Sequence, residues 1–270
     1  MSFFKNKVAL VTGSSQGIGK AIAIELAKKG SIVVLNGRQQ HKLEPLKIEI
    51  EQNGGRALAI AADVSLFDEA SRLIDETIKK FGRLDFLINN VGISSRGYIA
   101  ELHPDVLHQV FNSNVNGCLF PTQAALPYLR QQKGSIVFIS SLAAIHGLPG
   151  LAPYSASKMA LQAFAEALRI EEHEYNLHIG ILRVAKTAIE HQKQTVGSNG
   201  QLQALKSRTN EKVLTMQQVA QDCLQLIQKR RYSNTQTFLG KLNQFLNSIS
   251  PLIVERILIK NIHRFKDESQ

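Results

Sequence analysis

The stretch VALVTGSSQGIGKAIAIELA, residues 8–27, joins an apolar strand to a helix through a glycine-rich turn. Its first four residues are apolar, and apolar residues recur at helical spacing from Ala21 to Ala27. Between them, Gly13, Gly17 and Gly19 permit positive φ, close approach of the backbone and tight helix packing. Because a helix N-terminus offers free N–H groups and a positive dipole end, this turn is suited to bind a phosphate.

The same alternation of apolar strand and helix continues along the chain. Further strands are predicted at residues 31–35, 57–61, 84–88, 135–139 and 178–182, and helices at 43–50, 67–81, 104–129, 154–173 and 217–228. Strands that are apolar throughout are buried on both faces, which requires helices on both sides of a parallel sheet. The sequence therefore predicts an α/β fold with a single doubly wound parallel sheet.

Two segments depart from this alternation. Residues 186–212 are polar and low in large apolar side chains, which predicts a mobile surface loop that covers a substrate. From residue 229 onward, eight basic residues accompany three acidic ones. Apolar residues have helical spacing on both sides of Pro251, at Leu242, Phe245, Leu246, Ile249, Leu252, Ile253, Ile257, Leu258, Ile262 and Phe265. These features predict a basic amphipathic helical tail.

The composition is that of an ordinary globular protein, with 44% hydrophobic and 20% charged residues among 270. Cys118 and Cys223 form no C-x-x-C pair, which argues against a disulfide scaffold or a cysteine zinc site and fits a reducing cytoplasm. No apolar run reaches the ~18 residues of a membrane span, and the start MSFFKNK lacks the apolar region of a signal peptide. For the net charge of +10 we expect a solvated basic surface and no nucleic-acid partner.

Three other motifs overlap the glycine-rich turn. Gly13-x-Ser15-x-Gly17 matches the nucleophile elbow of serine hydrolases, although few strands precede it. A P-loop would need a glycine at Ser14 and a serine or threonine at Ala21. The G-x-G-x-x-G dinucleotide pattern fails because Ser15 replaces its second glycine. A serine hydrolase that uses Ser15 stays an alternative, which turnover of a nitrophenyl ester would reveal.

The remaining spacing, T-G-x-x-x-G-I-G, resembles that of the classical short-chain dehydrogenase/reductase family, and later motifs follow in the family's order. They are Asn89-Asn90-Val91-Gly92 after the fourth strand, Asn114-Val115-Asn116-Gly117 on the long helix, Ser140-Ser141 at the end of the fifth strand, and Tyr154-x-x-x-Lys158, 13 residues after Ser141. The resemblance covers about residues 5–185. It implies a Rossmann-like fold and hydride transfer between a nicotinamide cofactor and a carbonyl or alcohol substrate.

Tyr154 and Lys158 lie at positions i and i+4, so one helix face carries both side chains. A neighbouring ammonium favours the phenolate form of a tyrosine, which suits Tyr154 to act as general acid or base. Ser141 is expected to hydrogen-bond the substrate oxygen whose charge changes. The resemblance implies that Lys158 also binds the nicotinamide ribose and that Asn114 holds a water linking Lys158 to solvent.

The end of the second strand decides the choice of cofactor. No acidic residue lies between Glu25 and Glu44, where an NAD enzyme carries a carboxylate for the ribose hydroxyls. Arg38 is placed to meet a 2′-phosphate, so we predict NADP(H). The resemblance implies a larger cofactor-binding set, comprising Gly13, Ser15, Gly17, Ile18, Gly19, Arg38, Asp63, Val64, Asn90, Tyr154, Lys158 and Thr187.

Two positions depart from the family's pattern. Gln16 stands where many NADP(H)-dependent members carry a basic residue. After the sixth strand, Arg183-Val184-Ala185-Lys186-Thr187 replaces the usual Pro-Gly and following threonine, which puts the nicotinamide cradle and the role of Thr187 in question. The loss of Pro-Gly favours an alternative, a catalytically silent NADP(H)-binding protein that acts through partners. The complete set of Asn114, Ser141, Tyr154 and Lys158 argues against it.

We assign residues 1–240 to a dinucleotide-binding catalytic domain that includes the substrate loop 186–212, and residues 241–270 to the tail. Such a tail lies on a membrane surface, packs on its own domain or crosses a dimer interface. The function expected from the whole pattern is NADP(H)-dependent reduction of a carbonyl, or oxidation of the alcohol, in an apolar or lipid-like substrate. We expect a cytoplasmic homo-oligomer, with peripheral membrane contact through the tail as a further expectation.

Overall fold

The computed structural model describes residues 2–188, 194–205, 213–263 and 265. Its strands are Val8–Val11 (β1), Ile32–Gly37 (β2), Arg56–Ala61 (β3), Phe86–Asn89 (β4), Ser94–Ser95 (β5), Ser135–Ser141 (β6), His178–Val184 (β7), Gln194–Val196 (β8), Leu202–Ala204 (β9) and Ser233–Thr235 (β10). Its helices are Gly17–Lys28 (α1), Gln40–Gln52 (α2), Phe67–Phe81 (α3), Pro104–Phe111 (α4), Gly117–Gln132 (α5), Ala152–Glu171 (α6), Met216–Gln228 (α7), Phe238–Ile249 (α8) and Pro251–Lys260 (α9).

The described residues form a main sheet of seven parallel strands in the order β10-β7-β6-β4-β1-β2-β3. Alternate residues of β1 point into two separate cores, Ala9 and Val11 into one and Val8 and Leu10 into the other. Both faces are therefore buried, and the predicted doubly wound sheet with helices on both faces is confirmed. Strand order reverses between β1 and β4, and parallel sheets bind ligands in the crevice at the carboxyl ends of such strands.

The helix predicted at residues 104–129 contains an irregularity that the sequence does not reveal. A π-helical turn, Asn112–Asn116, separates α4 from α5, while the flanking backbone keeps helical dihedrals. Such a turn adds a residue without ending the helix, so apolar periodicity does not report it. The prediction of a long helical stretch is therefore confirmed, and the π-helical turn within it carries the buried Asn114.

The segment 186–212 is not a continuous loop in its described part. β8 pairs in parallel with β5 and antiparallel with β9, and Val196 is buried against Val106 and Val110 of α4. The prediction of a loop is wrong for the residues of β8 and β9, which sequence analysis missed because three-residue strands are too short to show a periodic pattern. Residues 189–193 and 206–212 of the predicted loop lie outside the described residues.

The C-terminal part of the chain adds a strand and two helices. The sequence prediction missed β10, a short polar strand that pairs with β7 at the edge of the main sheet. The predicted tail helix is present on both sides of Pro251, as α8 and α9. α8 begins at Phe238, so the domain boundary proposed at residue 240 falls inside this helix.

His178 links the sheet to the turn after α7. Its Nε2 lies 2.9 Å from the carbonyl oxygen of Arg231, and burial lowers the pKa of the imidazole. A lowered pKa means that the folded protein binds the proton less tightly than the unfolded chain does. At a pH above the ordinary histidine pKa of 6.5, His178 is neutral in both states and does not lower the free energy of unfolding. As the pH falls below 6.5, the unfolded chain takes up the proton more readily, so the free energy of unfolding decreases.

We expect the melting temperature of the wild type to fall more steeply between about pH 7 and pH 5 than that of His178→Gln. Glutamine keeps an N–H donor for the carbonyl oxygen of Arg231 but does not titrate. Melting curves of both proteins across this range isolate the histidine, since the carboxylates titrate in both. Parallel pH profiles would show that protonation of His178 does not destabilise the fold.

Candidate active site

The glycine-rich turn between β1 and α1 has a backbone that other residues would strain. Gly13 and Gly17 have φ values of +60° and +61°. A Cβ atom on Gly19 would overlap the carbonyl oxygen of Gly13. Beside Gly17 the turn leaves open space. In the described part of the chain, the only neighbouring atom within 4 Å of a Cβ built on Gly17 would be Met216 Sδ. This geometry fits a turn that admits a pyrophosphate at the N-terminus of α1.

Thr12 and Asn90 fasten this turn to the end of β4. Thr12 Oγ1 accepts hydrogen bonds from the backbone N–H groups of Asn90 (3.0 Å) and Val91 (3.3 Å). Asn90 Nδ2 donates to the carbonyl oxygens of Thr12 (3.1 Å) and Gly13 (3.0 Å). The structure therefore places Asn90 beneath the turn, as a residue that holds its shape. Sequence analysis missed Thr12, whose position before the first glycine was the available signal.

The other side of the turn contacts the end of β2. Ser14 Oγ accepts a hydrogen bond from the backbone N–H of Asn36 at 2.9 Å, and the N–H of Ser14 donates to the Asn36 carbonyl oxygen at 2.8 Å. Ser15 lies beside Gly37, where a Cβ atom would be 3.6 Å from Ser15 Oγ. Arg38 follows directly and is exposed. The turn and Arg38 therefore lie at the same corner of the crevice.

Three further predicted cofactor residues occupy structural positions near this crevice. Ile18 is half-buried and packs against the core beneath α1. Asp63 Oδ1 accepts hydrogen bonds from the N–H and the hydroxyl of Ser65, at 3.0 and 2.7 Å, and so shapes the turn after β3. Val64 is buried in the core on the opposite face of the sheet from Ile18. Asp63 does not cap α3, whose N-cap residue is Leu66.

Tyr154 and Lys158 lie on one face of α6, as predicted. Lys158 is 4% exposed, and its Nζ donates to the carbonyl oxygen of Ile139 at 3.0 Å. The same atom lies 6.0 Å from the centroid of the Tyr154 ring. Of the ion pairs formed within the described ranges, none includes Lys158. A buried ammonium without a carboxylate partner therefore stands beside the tyrosine.

Asn114 joins three elements around these side chains. Its Oδ1 accepts a hydrogen bond from the Ile93 N–H at 2.7 Å, and its Nδ2 donates to the Ile93 carbonyl oxygen and to Ser157 Oγ, both at 2.9 Å. Ser157 Oγ in turn donates to the carbonyl oxygen of Tyr154 at 2.7 Å. A Cβ atom on Gly92 would lie 3.0 Å from Lys158 Nζ and 3.1 Å from Asn114 Oδ1. Sequence analysis missed Ser157 and Gly92, although both lie inside quoted motifs.

Ser141 ends β6 next to this group. The two preceding residues of the strand contact Lys158, because Ile139 accepts from its Nζ and Ser140 Oγ donates to its backbone carbonyl at 3.3 Å. Ser141 Oγ accepts a hydrogen bond from the Ala143 N–H at 3.2 Å, which fixes its position. A hydroxyl that accepts in this way keeps its own proton to donate.

The segment that replaces Pro-Gly is held by side chains from other elements. Arg183 is 2% exposed and donates to Gln162 of α6 (2.9 Å) and Thr235 of β10 (3.4 Å). Burial lowers the pKa of its guanidinium. Gln236 accepts a hydrogen bond from the Ala185 N–H at 3.2 Å. Thr187, also buried, bridges to Leu214 before α7. The predicted nicotinamide-side position of Thr187 is therefore at a strand-like bridge after β7.

The model of the short chain dehydrogenase family matches residues 7–198. An 11-beta-hydroxysteroid dehydrogenase 1A from Arabidopsis thaliana is 41% identical over 168 residues, which cover 61% of this chain and 48% of that protein. An uncharacterized oxidoreductase from Listeria monocytogenes is 35% identical over 186 residues, covering 68% and 75%. The versicolorin reductase of Emericella nidulans is 39% identical over 166 residues, covering 61% and 63%. This chain spans about half the length of the plant relative.

Solved structures share the fold. An alcohol dehydrogenase from Thermococcus sibiricus, complexed with 5-hydroxy-NADP, matches with a TM-score of 0.76 at 23% identity, covering 85% of this chain and 95% of that one. A gluconate 5-dehydrogenase from Burkholderia cenocepacia, in complex with NADP and tartrate, matches with a TM-score of 0.67 at 28% identity, covering 70% and 75%. The family match spans most of the sequence and all the motifs that the structure brings together. The chain belongs to the short-chain dehydrogenase family.

Proposed function

We propose that this protein is an NADP(H)-dependent oxidoreductase that reduces a carbonyl group, or oxidises the corresponding alcohol. The observation that carries the proposal is the buried Lys158 ammonium, unpaired by any described carboxylate, on the same helix face as Tyr154. A positive charge in this position stabilises the negative charge that develops on the tyrosine oxygen during proton transfer. Relatives named as dehydrogenases and reductases support the same assignment.

Four residues of the chain have distinct roles in proton transfer to and from the substrate oxygen. When bound, the nicotinamide cofactor donates or accepts the hydride. Tyr154 gives a proton to the substrate oxygen in reduction and takes it in oxidation. Ser141 donates a hydrogen bond to that oxygen and stabilises its developing charge. Lys158 stabilises the charge that develops on the Tyr154 oxygen, and the remaining lone pair of Asn114 Oδ1 holds a water that links Lys158 to solvent.

The residues that would hold the cofactor lie at and near the carboxyl ends of the strands of the main sheet. The turn formed by Gly13, Ser15, Gly17, Ile18 and Gly19 would bind the pyrophosphate. Asn90 holds the shape of this turn through its hydrogen bond to the carbonyl oxygen of Gly13. Arg38 binds the 2′-phosphate of NADP(H). Asp63 and Val64 would contact the adenine, and Thr187 would contact the nicotinamide side. The gluconate 5-dehydrogenase complexed with NADP supports a nicotinamide dinucleotide, and the exposed Arg38 supports NADP(H).

We propose an apolar or lipid-like carbonyl compound as substrate. Gly240 of α8 packs against Leu142, the residue after Ser141, so α8 begins beside the proposed substrate site. Relatives named as a hydroxysteroid dehydrogenase and a versicolorin reductase support a large apolar substrate. The cytoplasmic location and the homo-oligomer stay predictions. The division into a catalytic domain of residues 1–240 and a tail of residues 241–270 likewise stays a prediction.

The proposal is tested by NADPH oxidation, followed by absorbance, across cyclic ketones that are each paired with the same ring bearing a carboxylate. We expect turnover of the uncharged ketones and much weaker turnover of their charged partners. Alcohol oxidation with NADP⁺ examines the opposite direction. Tight NADPH binding without turnover in either direction would favour the silent cofactor-binding protein. Hydrolysis of a nitrophenyl ester that Ser15→Ala abolishes would favour the hydrolase.

A further inference from the structure

α8 packs against the protein with its polar face. Thr235 Oγ1 donates to Gln244 at 2.6 Å, and Asn247 Nδ2 donates to the carbonyl oxygen of Ile145 at 2.8 Å. Asn247 Oδ1 also lies 2.9 Å from His146 Nδ1. Helices on the surface of soluble proteins normally bury the apolar face instead. The apolar face of α8 is therefore left without a covering element in the described chain.

The outward face continues from α8 to α9. Among the described residues, nine large apolar side chains are exposed on these two helices: Phe238, Leu239, Leu242, Phe245, Ile249, Leu252, Ile253, Ile257 and Ile259. We call this set the tail face. Val254 points the other way and is buried. So many exposed large apolar side chains on two consecutive helices mark an interaction site.

Positive charge accompanies the tail face. Lys241, Arg256 and Lys260 are exposed on α8 and α9, against a single described acidic residue, Glu255. On α9, Arg256 and Lys260 lie four positions apart, so they share one side of the helix between exposed isoleucines. Such side chains keep their stems on apolar surface and extend their charges to a polar boundary. A second copy of the chain would bring like charges together, whereas anionic lipid supplies the opposite charge.

We propose that the tail face docks on the surface of an anionic lipid bilayer. The apolar side chains enter the boundary between headgroups and acyl chains, and Lys241, Arg256 and Lys260 meet the lipid phosphates. No helix in the described part of the chain is long and apolar enough to cross a membrane. α8 also contacts Leu142, Ile145 and His146, within five residues of Ser141, so docking brings the active-site edge of the sheet next to the bilayer. Docking itself does not depend on the proposed redox activity.

Sedimentation of the full chain with vesicles tests this docking, without cofactor or substrate. We expect the protein to pellet with vesicles of phosphatidylcholine and phosphatidylglycerol, much less with phosphatidylcholine alone, and less at high salt. Phe245→Gln and Ile257→Gln should each weaken binding at least about tenfold. Ile48→Gln is the matched control, because Ile48 on α2 has the same 49% exposure as Ile257. Arg256→Gln combined with Lys260→Gln should weaken binding to anionic vesicles by roughly thirtyfold.

Three results would overturn the proposal. The full chain could stay in the supernatant with anionic vesicles, or the two tail-face variants could bind as well as Ile48→Gln does. The third result is that the protein does not bind vesicles but forms a concentration-dependent dimer, which Phe245→Gln dissociates. A second copy of the chain would then cover the tail face. NADPH turnover is measured separately from vesicle binding. A failure of the docking proposal and a failure of the proposed redox activity are therefore recognised independently.

Discussion

Tyr154→Phe is expected to lower kcat by about 10²–10⁴-fold while NADPH affinity changes by no more than a few-fold. The substitution removes the hydroxyl that exchanges a proton with the substrate oxygen and leaves the ring in place. Lys158 keeps its hydrogen bond to the carbonyl oxygen of Ile139, so the buried ammonium stays fixed on α6. The expected loss is therefore in the chemical step rather than in cofactor binding.

Steady-state rates with a ketone that the wild type reduces, together with NADPH binding by fluorescence, separate the two effects. Tyr175→Phe is the matched control, because it removes the same hydroxyl from a tyrosine outside the candidate active site. The Tyr175 ring centroid lies 4.3 Å from Arg130 Cζ, and the side chain is 45% exposed. This control should retain wild-type kcat. If Tyr154→Phe also retained kcat, Tyr154 would not be the general acid or base.

Arg38→Asp is expected to reverse the cofactor preference, lowering NADPH affinity on the order of 10²-fold and raising NADH affinity. Aspartate repels the 2′-phosphate and offers an acceptor to the free ribose hydroxyls. The position tolerates the change structurally, because Arg38 is exposed at the end of β2. Arg38→Gln is the matched variant: it should weaken NADPH without improving NADH, since it removes the positive charge but adds no negative one.

Titration of each protein with NADPH and NADH gives both affinities directly. A wild type that prefers NADH would show that the cofactor prediction is wrong, whatever the variants do. Equal NADPH affinity in all three proteins would show that Arg38 does not meet the 2′-phosphate.

The parts of the fold that sequence predicts well are those with local causes. The turn from Gly13 to Gly19 needs glycine for its own backbone, and the strands of the main sheet are apolar because both faces are buried. The pairing of Tyr154 with Lys158 follows from helix geometry alone. These features are set within a few residues, so their patterns are readable in the chain.

The features that sequence analysis missed depend on distant segments. The π-helical turn at Asn112–Asn116 places Asn114 against Ile93 and Ser157, contacts that no periodicity encodes. β8 exists as a strand because β5 and β9 flank it. The spacing of α8 predicts its apolar face, but its polar contacts with the protein decide that this face points outward.

The central proposal, hydride exchange between NADP(H) and a carbonyl carbon assisted by Tyr154, is tested most directly by isotope transfer. NADPH is prepared with deuterium at either one of its two C4 positions, and the alcohol product is analysed by mass spectrometry. We expect one of the two labelled cofactors to transfer deuterium to the carbinol carbon, and the other to give unlabelled alcohol. Tyr154→Phe should form almost no product from either. Unlabelled alcohol from both cofactors, or NADPH that is bound but never consumed with any carbonyl compound, would contradict the proposal.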